Sequence, residues 1–182
     1  FSNIVLADEI YGLLHHNGEH ISIANYYPEG TIVSSGLSKW CGAGGWRLGT
    51  MSFPDELSRI LEPMTAMASE TFTSVSAPIQ YAGVTAFLGG SIIEDYLFHV
   101  RRILKTIGIQ CFKLLNKNAV NVITPKGGFY LFPVFNEFQN ILGSRDKITS
   151  DDFCNKLLEK TGVTLLPGVE FYRDKNELSC RL

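Results

Sequence analysis

Lys39 stands among hydroxyls and glycines. The run Ser34-Ser35-Gly36-Leu37-Ser38-Lys39-Trp40-Cys41-Gly42-Ala43-Gly44-Gly45-Trp46-Arg47-Leu48-Gly49 begins in a β-branched segment and carries an arginine eight positions after the lysine. A primary amine at the end of a buried strand is placed to condense with an aldehyde. Small residues let the backbone come close to a ligand, and hydroxyls with a guanidinium bind a phosphate dianion. The set suits a cofactor that bears both an aldehyde and a phosphate. Taken alone, the same residues also describe a surface lysine beside a flexible loop, because short motifs recur by chance.

A second segment bears on that choice. Asp8-Glu9-Ile10-Tyr11 follows the apolar run Ile4-Val5-Leu6-Ala7. In an open α/β sheet, ligands bind beyond the carboxyl ends of the strands, where this segment and Lys39 would both lie. A carboxylate there can pair with a protonated pyridine nitrogen, and a phenol three residues on can reach a ring oxygen. On its own, Asp-x-x-Tyr also fits a turn-capping Asp and a packed Tyr. Arg181, in the apolar context of the last residues, offers a planar fork for a carboxylate or is an ordinary surface charge.

Other reactive side chains fit ordinary roles. His15-His16 lack the Cys and carboxylate neighbours of a metal site and read as a solvated loop. Trp40 and Trp46 read as packing residues. Cys41 adjoins the lysine loop, yet no His is placed in sequence to activate it. Cys41, Cys111, Cys154 and Cys180 are far apart, so neither a zinc site nor a dense disulfide framework is expected.

The elements that must hold these residues alternate between strand-like and helix-like runs. Ile4–Ala7, without polar alternation, fits a strand buried on both faces of a parallel sheet. Thr31–Ser34, after Pro28-Glu29-Gly30, reads as a second strand, and the stretch from Trp46 to Ser52 as a third. Pro54-Asp55-Glu56 marks a first helical turn, with Pro63 ending or bending that helix. Ser76-Ala77-Pro78 opens another, which closes at Gly89-Gly90. Ser91-Ile92-Ile93-Glu94 fits a capping box. From there Ile93, Leu97, Val100, Leu104, Ile107, Cys111 and Leu114 trace one stripe along a long helix. Beyond Asn118 the texture changes. Val120–Thr124 and Gly128–Val134 read as strands around Pro125-Lys126-Gly127. Thr149–Lys160 reads as an amphipathic helix ended by Gly162, and Val163–Leu166 and Leu178–Leu182 as strands. A boundary near residue 118 separates part of a parallel α/β unit with its long helix (1–118) from a small α+β unit (119–182).

Composition narrows the function classes. The chain has 182 residues, 16 Lys plus Arg against 18 Asp plus Glu, and 45% hydrophobic residues, which suffices for a real core. A net charge of −2 without a basic block argues against nucleic acid or a membrane surface as partner. The apolar stretches are too short and broken to span a bilayer, and a reducing, cytoplasmic setting is the default. The chain opens inside an apolar run without Met and stops inside a strand-like one, so a piece of a longer polypeptide is expected.

Together these motifs resemble the class I and II aminotransferases, the fold-type I enzymes that use pyridoxal phosphate. The likeness rests on Gly36-Leu37-Ser38-Lys39 through Trp46-Arg47-Leu48-Gly49 and on Asp8 with Tyr11. Pro125-Lys126-Gly127-Gly128-Phe129-Tyr130, Leu165-Leu166-Pro167-Gly168 and Arg181-Leu182 extend it along the chain. The resemblance implies the C-terminal half of such an enzyme: an α/β fold, with part of a large parallel-sheet cofactor domain, a connecting helix and a small α+β domain truncated at its end. It makes Lys39 the Schiff-base lysine, Asp8 the pyridinium partner and Tyr11 the phenol on the ring oxygen. Arg47 and Ser38, with Ser35 able to substitute, would hold the phosphate, and Arg181 the substrate's α-carboxylate. It further implies amino-acid and 2-oxo-acid substrates and a homodimer. Some members place a phosphate-binding Ser where this chain has Gly36. The family's upstream half, which supplies a glycine-rich helix start, a ring-stacking aromatic and an Asn, is not in this sequence. An amino-acid aminotransferase is thus expected. A lyase or ring-closing enzyme on the same cofactor, or a truncated non-catalytic relative, stands as the alternative.

Overall fold

The structure is a computed structural model, and it describes residues 3–142 and 148–182. The chain divides within one long helix into a unit ending at Arg102 and a second unit, Ile103–Leu182.

The first unit is built on three strands. β1 (Val5–Asp8) pairs in parallel with β2 (Thr31–Gly36), and β3 (Gly49–Ser52) runs antiparallel to β2. The described sheet is therefore mixed, where the apolar strand pattern pointed to a parallel one. The connection from β2 to β3, residues 37–48, holds only the 3-10 turn Gly44–Trp46 and no crossover helix, so the chain turns back on itself. In register, Val5 faces Thr31 and Asp8 faces Ser34, which aligns the carboxyl end of β1 with the latter half of β2. Leu14, Ile32, Leu37, Trp40, Leu48, Leu57 and Leu97 are buried in this unit. Leu6, on the edge strand β1, is exposed.

The helices follow their caps, with two corrections. Asp55–Ile60 is a 3-10 turn that runs into α1 (Leu61–Thr71). Pro63 does not end this helix. It occupies the first turn of α1, where the missing N–H would have had no intrahelical partner. α2 spans Ala77–Leu88 and ends at Gly89. α3 (Ser91–Lys117) starts on Ser91 itself, and Glu94 N–H donates to Gly90 C=O, so Gly90 rather than Ser91 stands at the cap. Along the expected stripe Leu97 is buried, while Ile107 and Leu114 are exposed. Tyr81 and Leu88 of α2 and Ile92 of α3 also stand exposed.

The second unit has little regular strand. Val120–Thr124 and Gly128–Val134 form no named strand. They contribute isolated bridges, Asn121 to Val134 and Val134 to Ser179. Glycines, prolines and the turn between them break the ladder before it can extend. After α4 (Gln139–Leu142), α5 (Ser150–Thr161) begins with a complete capping box between Thr149 and Asp152 and ends at Gly162, whose φ of 75° is left-handed. β4 (Leu166–Pro167) pairs antiparallel with β5 (Cys180–Arg181). Ile148, Phe153, Cys154, Leu178 and Cys180 form the core, with Phe135 and Leu165 packed on it. Among the described residues no helix is long and apolar enough to cross a membrane.

Candidate functional site

Six of the seven candidates lie in the first unit. Asp8 is the last residue of β1, and its carboxylate receives the N–H of Ile10 at 3.4 Å, turning the chain off the strand. Glu9 N–H donates to Ser34 C=O at 2.9 Å and prolongs the β1–β2 pairing by one bond. Tyr11 follows, half-buried, at the start of the 3-10 turn Gly12–Leu14. Ser35 is in β2, opposite Thr50. Ser38 and Lys39 sit in the turn that leaves β2, both half-buried. The Lys39 ammonium lies 5.7 Å from the centre of the Tyr11 ring. Among the described residues, neither ion pair involves Lys39.

The loop after Lys39 is fixed from inside. Leu37 N–H donates to Leu48 C=O, Ala43 N–H to Leu37 C=O and Gly42 N–H to Lys39 C=O. Trp40 is buried against Phe87, edge to face at 5.9 Å, as a packing residue should be. Its indole Nε1 is buried without a hydrogen-bond partner among the described residues. Trp46, expected to pack, is half exposed. Arg47 ends the 3-10 turn Gly44–Trp46 in the left-handed region (φ 55°, ψ 43°), and its Nη1 donates to Gly44 C=O at 2.7 Å. A non-glycine residue in that region costs about 1 kcal/mol, and such strain clusters at functional positions.

Gly36 explains the missing hydroxyl. A Cβ on it would lie 2.6 Å from the Leu48 carbonyl oxygen and 3.1 Å from Gly49 Cα. The β2–β3 crossing leaves no space for a serine there.

These residues fit pyridoxal phosphate by donor chemistry. An amine with no acidic partner among the described residues, a phenol beside it, a carboxylate at the end of the neighbouring parallel strand and a strained arginine on a glycine loop would match one group to each function of that cofactor. A cavity of about 720 Å³ opens beside Leu48, Gly49 and Thr50 under Phe72 and Phe87, and none of the six candidates lines it.

The seventh candidate, Arg181, lies in the second unit, on β5. Its guanidinium carbon is 4.5 Å from the Tyr130 ring centre and 4.9 Å from that of Phe171. The Phe171 contact had no signal in the sequence. Nor did a polar cluster next to Asp8: Ser22 Oγ donates to Glu9 Oε1 at 2.6 Å, and His20 Nε2 meets Glu9 Oε2 at 2.9 Å. Burial raises the Glu9 pKa, but the hydrogen bonds from His20 and Ser22 outweigh it and leave the carboxyl below its ordinary value. The cluster ties residues 20–22 back to the end of β1. Among the described residues no group of three or more His, Cys, Asp or Glu side chains could hold a metal ion.

Comparison with known proteins agrees with these motifs. The chain is 32% identical over 173 residues to an aspartate aminotransferase of Geobacillus stearothermophilus, covering 92% of this chain and 42% of that protein. It is 33% identical over 167 residues to a probable N-acetyl-LL-diaminopimelate aminotransferase of Bacillus subtilis, covering 92% and 39%. The crystal structure of an aromatic aminotransferase from Pyrococcus horikoshii superposes with a TM-score of 0.82 at 28% identity, over 98% of this chain and 45% of that one. The chain thus spans about two fifths of the length of the curated relatives it matches. The family description "Aminotransferase class I and II" matches residues 2–181, and the chain belongs to that pyridoxal-phosphate-dependent family.

Proposed function

We propose that this chain forms part of an amino-acid aminotransferase that moves an amino group to a 2-oxo acid with pyridoxal phosphate. The observation that carries the reading is the Lys39 amine set 5.7 Å from the Tyr11 ring, both just past the carboxyl ends of parallel strands. The names of the relatives, aminotransferases acting on different amino acids, support the reaction class and leave the amino acid open.

Each residue then has a definite task. The Lys39 Nζ would hold the cofactor's aldehyde and, as a free amine, would carry a proton to and from the substrate's α-carbon. Asp8 holds a proton on the ring nitrogen by a charge-assisted hydrogen bond. The bound cofactor supplies the cationic ring that accepts the electron pair left behind at the α-carbon. Tyr11 O–H donates to the ring oxygen. Arg47, Ser38 and Ser35 bind the phosphate, and Arg181 takes the substrate's α-carboxylate in its fork. The parallel-sheet cofactor domain with its helix (1–118), the small domain (119–182), the homodimer and the cytoplasmic setting belong to the same reading. Exposed Tyr81, Leu88 and Ile92 support further apolar burial in the assembled enzyme.

The test is an absorption spectrum of the full polypeptide with pyridoxal phosphate, then borohydride reduction and peptide mapping. The expected result is a visible band and a label on Lys39. A label on another lysine, or no band, overturns the proposal. Release of ammonia instead of transfer to a 2-oxo acid would retain the cofactor site and reject the aminotransferase assignment.

A further inference from the structure

The environment of Arg181 starts from backbone register. Leu131 and Leu182 exchange hydrogen bonds, N–H to C=O at 2.9 and 3.0 Å, and Cys180 N–H donates to Pro133 C=O at 3.2 Å. With the Val134–Ser179 bridge these bonds define an antiparallel register in which Phe132 lies opposite Arg181. Alternate residues of an extended chain share a face, so Tyr130 and Phe132 share the face of Arg181. On the other flank Leu166 pairs with Arg181, and Gly168 N–H donates to Ser179 C=O at 2.7 Å. The chain then turns through Gly168–Phe171 and brings the Phe171 ring to the same guanidinium.

The close approach needs Gly168, because a Cβ there would lie 3.0 Å from the Ser179 carbonyl oxygen and overlap the Ser179 hydroxyl. The rings are themselves held. Phe132 meets Phe171 edge to face at 5.4 Å, and Phe129 meets Tyr130 at 4.7 Å. The acid–base pairs among the described residues are His20 with Glu9 and Arg173 with Glu177, so Arg181 has aromatic neighbours and no carboxylate in ion-pair contact.

A guanidinium donates hydrogen bonds only in its plane, while its weakly hydrated faces accept aromatic contact. Ring contact therefore fixes the group without using its donors, and a planar two-oxygen acceptor can take two of them at once. We propose that Tyr130 and Phe171 are positioning residues that hold the Arg181 fork ready for the substrate carboxylate. The proposal rests on the reading of Arg181 as the carboxylate ligand and adds how its geometry is set.

The test uses the full polypeptide loaded with pyridoxal phosphate and 2-oxoglutarate as carboxylate probe, with binding followed by calorimetry and amino transfer by steady-state kinetics. Tyr130→Leu and Phe171→Leu are each expected to weaken probe binding about five- to tenfold, the size of one partly buried cation–π contact. The loss should appear in KM with kcat little changed, and Tyr130→Phe, which keeps the ring, should restore binding to within about twofold. Unchanged probe binding in both leucine variants, while Arg181→Lys still weakens it, overturns the positioning role alone. Binding indifferent to Arg181→Lys, or absent from the unsubstituted protein, overturns the assignment of Arg181 itself. If a leucine variant fails to fold, Tyr130→Phe and Phe171→Tyr decide: loss of binding with the rings retained overturns the proposal.

Discussion

The carbonyl oxygen of Leu48 occupies the space that a side chain on Gly36 would need, 2.6 Å from the position of its Cβ. Leu37 N–H donates to that same carbonyl at 3.1 Å, so the lysine loop is closed at its base by one crowded peptide. Gly36→Ser is therefore expected to destabilise the fold by about 1–3 kcal/mol, the usual cost of overpacking, without improving phosphate binding. Thermal unfolding and a pyridoxal phosphate titration check both parts. A stable variant with tighter cofactor binding would sink the steric account.

Arg47 gives the opposite trade. Its left-handed backbone is one that glycine adopts freely, so Arg47→Gly relieves about 1 kcal/mol of strain while losing the side-chain bond to Gly44. Stability should change by less than about 1 kcal/mol, while cofactor affinity falls about tenfold or more, since a charge-assisted bond to phosphate is worth about 1.5–3 kcal/mol. Equilibrium denaturation beside a cofactor titration separates the two effects.

The capping box of α5 predicts a simple loss. Thr149→Ala removes the hydroxyl that accepts Asp152 N–H and donates to its carboxylate, and should cost about 1 kcal/mol. The backbone and side-chain bonds from Thr149 hold the Asp152 carboxyl below its ordinary value. The sign follows from linkage: a depressed carboxyl stabilises the fold above its unfolded pKa of about 4 and loses that contribution as pH falls further. Acid unfolding of Thr149→Ala should accordingly show a weaker pH dependence below about pH 4.

Cys180 predicts the alkaline limb. Burial, then the neighbouring Cys154, push its thiol up to about 12. A raised thiol pKa leaves the stability contribution intact below the unfolded value of about 8.5. It is lost as pH rises toward about 12. Cys180→Ala should flatten stability over that window. Iodoacetamide should label Cys180 in the native state far more slowly than the half-buried Cys41; equal rates would contradict its burial.

What the sequence revealed, and what it hid, follows from the range of the interactions. α2 and α5 were legible because their start and stop signals lie within a few residues: Ala77-Pro78 before Gly89, and Thr149 with Asp152 before Gly162. Pro63 misled because a proline reads alike whether it ends a helix or sits in its first turn. The antiparallel return of β3 was hidden, since strand pattern carries no direction. The Val134–Ser179 bridge joins residues far apart along the chain, and no local period encodes it. The motif around Lys39 could be read without that direction, because the carboxylate, phenol and amine lie at or just past the ends of β1 and β2, and the arginine lies two residues before β3. Phe171 beside Arg181 was invisible, because the irregular stretch 172–179 brings them together.

The two tryptophans of the chain flank the proposed cofactor residues, Trp40 next to Lys39 and Trp46 next to Arg47. One is 2% accessible and the other 51%. The protein thus carries two optical reporters of opposite wetness: a shielded indole that emits to the blue, out of reach of iodide, and a solvated one that iodide quenches. Fluorescence recorded while a ligand arrives would register events at the amine and at the guanidinium as separate signals from unlabelled protein.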